Sequence, residues 1–184
     1  MTEFTIHTID SAPEAAKPAL EASNAKNGRV PGLHGVMAES PELLQAYAQV
    51  HELFVASSLD ADELTVVWQT INVENECHYC VPAHTGIAKM MKVDDAITEA
   101  LRNGTPLPNA RLEALRTFTL QVVRQRGELT DAETQAFLDA GFTNRNILEV
   151  ILGYSQKIMS NYVNHFAKTP VDGVFEKFAW SPSK

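Results

Sequence analysis

Helix-start signals recur along this chain, and each is followed by apolar residues three and four apart. Ser40-Pro41 offers an N-cap with proline at the first helical position, ahead of Leu43, Leu44, Tyr47, Val50, Leu53 and Phe54. Asp60 and Glu63 have capping-box spacing ahead of Leu64, Val67, Trp68 and Ile71, as have Thr130 and Glu133 ahead of Phe137 and Leu138. Thr143 opens a run of Ile147, Val150, Ile151, Tyr154, Ile158, Met159, Tyr162 and Phe166 that Pro170 closes. No stretch alternates with period two, and no Asn-Gly or Asp-Gly turn joins two apolar runs, so strands are not expected. The pattern predicts an all-α, single-domain helical bundle over 1–184, with helices at 13–26, 41–57, 61–75, 79–92, 94–102, 109–126, 131–139 and 144–167. It leaves 1–12 as a mobile N-terminal arm, 27–35 and 103–108 as loops, and 168–184 as a short C-terminal tail.

A length of 184 residues at 45% hydrophobic content suffices for one real core. The net charge of −8, with basic residues scattered, argues against nucleic acid or an anionic membrane surface as partner. No apolar run reaches the roughly 18 residues a membrane span needs. Met1 to His7 shows no basic-then-apolar pattern of a secretory signal, so a cytoplasmic setting is expected.

The chemistry concentrates in Glu76-Cys77-His78-Tyr79-Cys80-Val81-Pro82-Ala83-His84, which holds both cysteines of the chain. A CxxC pair in a reducing compartment points to redox or metal chemistry rather than a structural staple. On a helix Cys77, Cys80 and His84 share one narrow face, since each step adds about 100°. Pro82 belongs in a first turn, so the helix should begin between Tyr79 and Val81, with CxxC at the N-terminus of a central helix. Cys80 then lies at the positive end of the helix dipole, one turn from His84, and Cys77 lies just outside. These positions favour Cys80 as the attacking thiol, with His84 taking its proton or stabilising the thiolate as imidazolium. Attack on a peroxide would give a sulfenic acid at Cys80, which Cys77 would condense into a disulfide.

Two other readings stand beside this one. The pair can be inert and buried, or it can be a metal site in which Cys77, Cys80 and His84 are joined by Glu76, His78 or His165. Among secondary candidates, Glu63 is either a capping residue or a proton relay. Tyr79 either donates to a peroxide or packs, and His165 near Asn161 is either structural or at the thiols. His78 is expected exposed beside the site. His7, His34 and His51 carry no constellation, and Trp68 and Ile71 read as helix core.

The run Cys77-x-x-Cys80-x-x-x-His84 on an all-helical chain resembles the alkylhydroperoxidase D and carboxymuconolactone decarboxylase superfamily, and more narrowly its peroxidase-related branch. Glu74-Asn75-x-Cys77-x-Tyr79-Cys80-Val81-x-Ala83-His84-Thr85 is similar to that branch. So are Phe4 to Ile9, Val36 to Pro41, Ser160 to His165 and Thr169 to Asp172. The resemblance implies a thiol-dependent peroxidase with Cys80 peroxidatic and Cys77 resolving, and a hydroperoxide as substrate. It also implies an external dithiol or lipoylated protein as electron donor, no bound cofactor or metal, and a homo-oligomer built as a trimer or hexamer. The family's relay glutamate, twelve residues before the first cysteine, is Thr65 here, and Tyr79 replaces the histidine that usually precedes the second cysteine. These two departures leave room for a different class, a redox-responsive or metal-binding oligomeric module without efficient turnover.

Overall fold

The computed structural model describes residues 3–182. Residues 1–2 of the expected arm and 183–184 of the expected tail lie outside the described residues. Among the described residues there are nine α-helices and no strand. They are α1 (Lys17–Asn27), α2 (Gly32–Met37), α3 (Pro41–Val55), α4 (Ala61–Glu74), α5 (Cys80–Met90), α6 (Asp95–Asn103), α7 (Ala110–Arg124), α8 (Asp131–Asp139) and α9 (Asn144–Ala167). Short 3₁₀ turns at Glu14–Ala16 and Gly173–Phe178 flank them. Among the described residues no helix is long and apolar enough to cross a membrane.

The start signals work as their chemistry predicts. Ser40 Oγ accepts from the Leu43 amide at 3.4 Å, and proline sits in the first turn of α3. Asp60 and Glu63 form a reciprocal capping box on α4, and Thr130 and Glu133 do the same on α8. These bonds satisfy amides that no helical carbonyl can reach.

Helix α4 is the central element and packs against α5, α6, α7 and α9. It is buried continuously from Glu63 to Asn72. One apolar cluster joins its Val66, Val67, Trp68 and Ile71 to Phe54, Leu115, Phe118 and Phe137. A second cluster holds Leu20, Met37, Leu44 and Tyr47 together with Cys77, Tyr79, Cys80 and Ala83. The thiols therefore belong to the core and not to a surface loop.

Helix α9 departs from the periodic reading. Its Gln156, Lys157, Ser160, Asn161 and Asn164 are fully buried, whereas Leu148, Ile151, Tyr162 and Phe166 are exposed. The buried face of this helix is polar and its open face is partly apolar, the inverse of the usual amphipathic arrangement. Gly153 lets α9 approach closely, since a Cβ there would lie 2.7 Å from the Phe54 ring.

Three segments differ from expectation. The stretch read as a loop over 27–35 contains the start of α2, whose Leu33, Val36 and Met37 are buried. Six residues with two glycines give too little periodicity to be read as a helix, and packing supplies what propensity lacks. The N-terminal arm does not leave the body. The His7 amide donates to Gly35 O at 3.1 Å, His7 Nε2 meets Glu39 at 2.7 Å, and Ala12 is buried. The tail is also docked. Phe175 and Phe178 lie on Gly86 of α5, where a Cβ would come within 2.5 Å of the Phe175 ring. Arg102 of α6 donates to Phe178 O at 3.1 Å, and the Trp180 indole donates back to Arg102 O at 3.0 Å.

Two predictions follow from this packing. Gly86→Val should separate the tail from α5 and cost about 1–3 kcal/mol, the usual penalty for overpacking; limited proteolysis should then cut at Lys177 faster than in the parent chain. His34 and His51 have pKa values lowered from 6.5 to about 4, chiefly by burial and then by neighbouring charges. The unfolded chain therefore binds more protons between pH 4 and 6.5, and stability must fall as pH drops through that window. Each ring contributes up to about 3 kcal/mol of this loss, so urea midpoints should decline steadily from pH 6.5 to 4; a flat profile would contradict the burial of neutral rings.

Candidate active site

The junction between α4 and α5 is tight because the chain reverses at Glu76, which takes the left-handed φ of 50°. The Cys77 amide then returns to Asn72 O at 2.9 Å. Helix α5 opens at Cys80 with Pro82 in its first turn, as the sequence requires. Cys77 Sγ accepts the Cys80 amide at 3.3 Å, so the first sulfur takes the place of a capping oxygen. Both thiols are free, and both are buried, Cys77 at 0% and Cys80 at 2% exposure.

Polar groups from α4 and α9 hold this junction. Asn164 Nδ2 donates to Cys80 Sγ at 3.3 Å. Asn161 Nδ2 donates to Asn72 Oδ1 at 3.0 Å, and Asn75 Nδ2 donates to Asn161 Oδ1 at 2.9 Å. Gln69 donates to Val81 O and Thr85 Oγ1 of α5. Lys157, fully buried, brings Nζ to 2.9 Å from His84 Nε2. That bond leaves the His84 proton on Nδ1, which is buried without a partner, as is Asn164 Oδ1. Trp68 lies against the His84 ring at 4.9 Å between centroids, and its indole donates to Gln156 Oε1 at 2.7 Å.

The electrostatics separate the two sulfurs. The hydrogen bond to Cys80, with burial and the neighbouring charge, pushes the Cys77 thiol up. Burial also opposes ionisation of Cys80. The hydrogen bond from Cys77, the charge of Lys157 and the groups of Asn161 and Ser160 outweigh it, and that thiol is pulled down. His84 is held well below the usual imidazole value by burial first, then by Lys157 and His51. Burial lowers Lys157, against the opposing pull of Cys80 and Cys77. The ring beside the thiols is thus neutral, and the group there that can carry a positive charge is Lys157.

The structure brings Cys77, Cys80 and His84 together, with His84 turned to Lys157. It gives the other candidates different surroundings. Tyr79 points its hydroxyl away to Asp172 at 2.8 Å, and that carboxylate also accepts from Arg29 and the Gly32 amide at 3.0 Å. Glu63 is occupied by its capping box and by an ion pair with Arg111. His165 is exposed and stacks on Tyr162. His78 Nε2 donates to Thr169 O at 2.9 Å. Thr65 is buried on α4. Among the described residues no group of three or more His, Cys, Asp or Glu could hold a metal.

Sequence reasoning missed Lys157 and His51. His51 accepts from Gln156 Nε2 at 3.0 Å and stacks on Trp68, which links it to His84 through one indole ring. A signal for Lys157 was present: Gly153, Gln156, Lys157, Ser160, Asn161 and Asn164 recur at three- and four-residue steps, a small and polar stripe as regular as the apolar one.

No family model and no curated protein matches the chain. Solved structures do. An alkylhydroperoxidase AhpD core, an uncharacterized peroxidase-related protein from Ralstonia eutropha JMP134, has a TM-score of 0.83 at 19% identity, covering 94% of this chain and 93% of that one. An uncharacterized peroxidase-related protein from Silicibacter sp. TM1040 has 0.78 at 22% identity, covering 95% of each chain. The debrominase Bmp8, solved as a cysteine-to-alanine variant with 2,3,4-tribromopyrrole, has 0.78 at 14% identity, covering 96% of this chain and 95% of that one. By its architecture this chain has the alkylhydroperoxidase D-like fold.

Proposed function

We propose that this chain is a thiol-dependent peroxidase that reduces organic hydroperoxides through a Cys77–Cys80 dithiol–disulfide cycle. A fold of this kind does not fix the reaction, since one structure that shares it is a debrominase. The observation that carries the reading is the asymmetry of the two sulfurs. Cys80 receives the helix start, the Asn164 amide and the charge of Lys157, while Cys77 is kept protonated beside it.

The Cys80 thiolate attacks the distal oxygen of the hydroperoxide, the O–O bond breaks, and the alcohol leaves. Cys77 then attacks the sulfenic sulfur, expelling the hydroxyl as water with the Cys77 proton. An external dithiol, free or on a lipoylated protein, restores both thiols by exchange. His84 Nδ1–H and Asn164 Oδ1, both unpartnered and buried, are the groups available to the two oxygens of the substrate. The metal-site reading has less support, because Lys157 occupies His84 Nε2 and its charge opposes a second cation.

An apolar groove of about 380 Å³ lies between α2, α3 and α9, lined by none of Cys77, Cys80 and His84. Met37, Leu43, Met159 and Val163 on its wall also belong to the cluster around the cysteines. Assembly into a homo-oligomer is supported by exposed Leu53 and Val55 on α3 and by Leu148 and Ile151 on α9. A cycle that starts from free thiols suits the cytoplasm, which keeps them reduced.

Cys80→Ser should reduce hydroperoxide consumption with a dithiol donor to below about 1% of the parent rate. Cys77→Ser should consume one equivalent per chain and stop, with a sulfenic acid at Cys80 that a dimedone probe captures. Turnover that survives in Cys80→Ser but not in Cys77→Ser would reverse the roles, and turnover in both would end the proposal.

A further inference from the structure

A buried ammonium needs a negative partner, because an unpaired charge in the interior costs several kcal/mol or loses its proton. Lys157 has no exposed surface. Its Nζ meets His84 Nε2 at 2.9 Å, and the titratable groups that act on it or feel its charge are Cys80, Cys77, His84 and His51. No carboxylate acts on it; the groups that draw it toward the charged form are Cys80 and Cys77 alone. On α4, Glu63 is held by its capping box and by Arg111, and Glu74 is held by Arg124.

We propose that Lys157 is the proton store of the thiol site: its ammonium pairs with the Cys80 thiolate in the reduced protein, and it passes its proton through His84 to the departing oxygen. The inference rests on the peroxidase reading for the second step, and the first step stands without it. The geometry is that of a relay. Lys157 Nζ donates to His84 Nε2 at 2.9 Å, and the opposite ring nitrogen, Nδ1, has no partner. When the O–O bond breaks, Nδ1–H protonates the alkoxide while Nε2 takes the proton from Lys157. The ring changes tautomer and stays neutral, in keeping with surroundings that disfavour imidazolium.

The protons balance. The reduced site holds Cys77–SH, Cys80–S⁻ and Lys157–NH₃⁺. Attack by the thiolate yields Cys80–SOH, the alcohol and Lys157–NH₂. Condensation with Cys77–SH yields the disulfide and water, with Lys157 still an amine, since its counter-charge is gone. Reduction by a dithiol delivers two protons, one kept by Cys77 and one passed to Lys157 as Cys80 becomes a thiolate. The protonation state of Lys157 therefore follows the redox state of the pair. Lys157 never touches the substrate; it is a positioning residue that acts through His84.

Lys157→Met removes the charge and keeps the length. Removing one partner of a buried pair is costly only while the other charge stays, and Cys80 can take up a proton and become neutral, so the fold should survive. The 240 nm thiolate absorbance of the reduced parent should titrate with a midpoint below 7, and in Lys157→Met the midpoint should rise by about two pH units or more. Peroxide consumption at pH 7 should fall about 100-fold and recover in part above pH 9, whereas a merely structural lysine would lower the melting temperature and leave the midpoint in place. An unchanged midpoint overturns the proposal. The parent chain gives a second reading that needs no variant and no peroxide. Its disulfide, reduced by dithiothreitol in weak buffer at pH 7, should form one thiolate and release no proton. One thiolate with one proton released means that Lys157 is not the acceptor, and no thiolate means that the pair does not form; either overturns the inference. Failure of the peroxidase reading would appear separately, as a parent protein with the predicted thiolate and no hydroperoxide consumption.

Discussion

The interior position of Lys157 is the constraint around which the thiol site is organised. An ammonium at 0% exposure is tolerated only where acceptors and negative charge meet it. Here the acceptor is His84 Nε2 and the charge comes from the sulfur at the start of α5. The same contact decides the state of each neighbour. It fixes the His84 tautomer; burial first and Lys157 second keep that ring neutral, and the hydrogen bond from Cys77 with Lys157 pulls Cys80 toward the thiolate. Cys77, hydrogen-bonded to Cys80, is pushed the other way. The hydrogen bond between the sulfurs, burial and Lys157 together leave the two thiols unequal, with Cys80 drawn toward the thiolate and Cys77 away from it.

The fold makes that contact possible through two local features. Glu76, in the left-handed region, and Pro82, in the first turn of α5, set a sharp reversal that presents both sulfurs to α9. Helix α9 meets them with its polar side, and Asn161 and Asn164 tie α4 and α5 to it by 3.0 and 3.3 Å hydrogen bonds. The tail closes the far side. Asp172 gathers the Tyr79 hydroxyl, Arg29 and the Gly32 amide, which anchors the residue between the cysteines away from the chemistry. Orientation at the site therefore depends on segments distant in sequence, a cost that a redox centre inside a core must meet with satisfied polar partners.

Helix positions were legible because their causes are local. Capping boxes at Asp60 and Thr130, the Ser40-Pro41 start and the Pro82 rule act within four residues, and the observed α4, α5 and α8 begin where those signals stand. The thiol site was legible in Cys77, Cys80 and His84, because they lie within eight residues, with His84 one turn after the helix start at Cys80. What escaped depends on partners far away in sequence. Lys157 reads as a solvent-facing lysine until α9 is seen with its polar side inward, 73 residues from His84. Tyr79 offered a hydroxyl for the substrate, and only the docked tail shows that Asp172, 93 residues on, takes it. The small helix α2 was lost for the same reason, since burial of Leu33, Val36 and Met37 forms it rather than its own propensity.

The central claim is that the buried pair is a working two-electron centre and not a structural feature. Its most direct test is the intact mass of the reduced protein after mixing with one equivalent of an organic hydroperoxide. The account predicts a loss of about two mass units, disappearance of both free thiols and one peroxide consumed per chain, with Cys77 and Cys80 joined in one peptide. Both thiols surviving while the peroxide remains would contradict it.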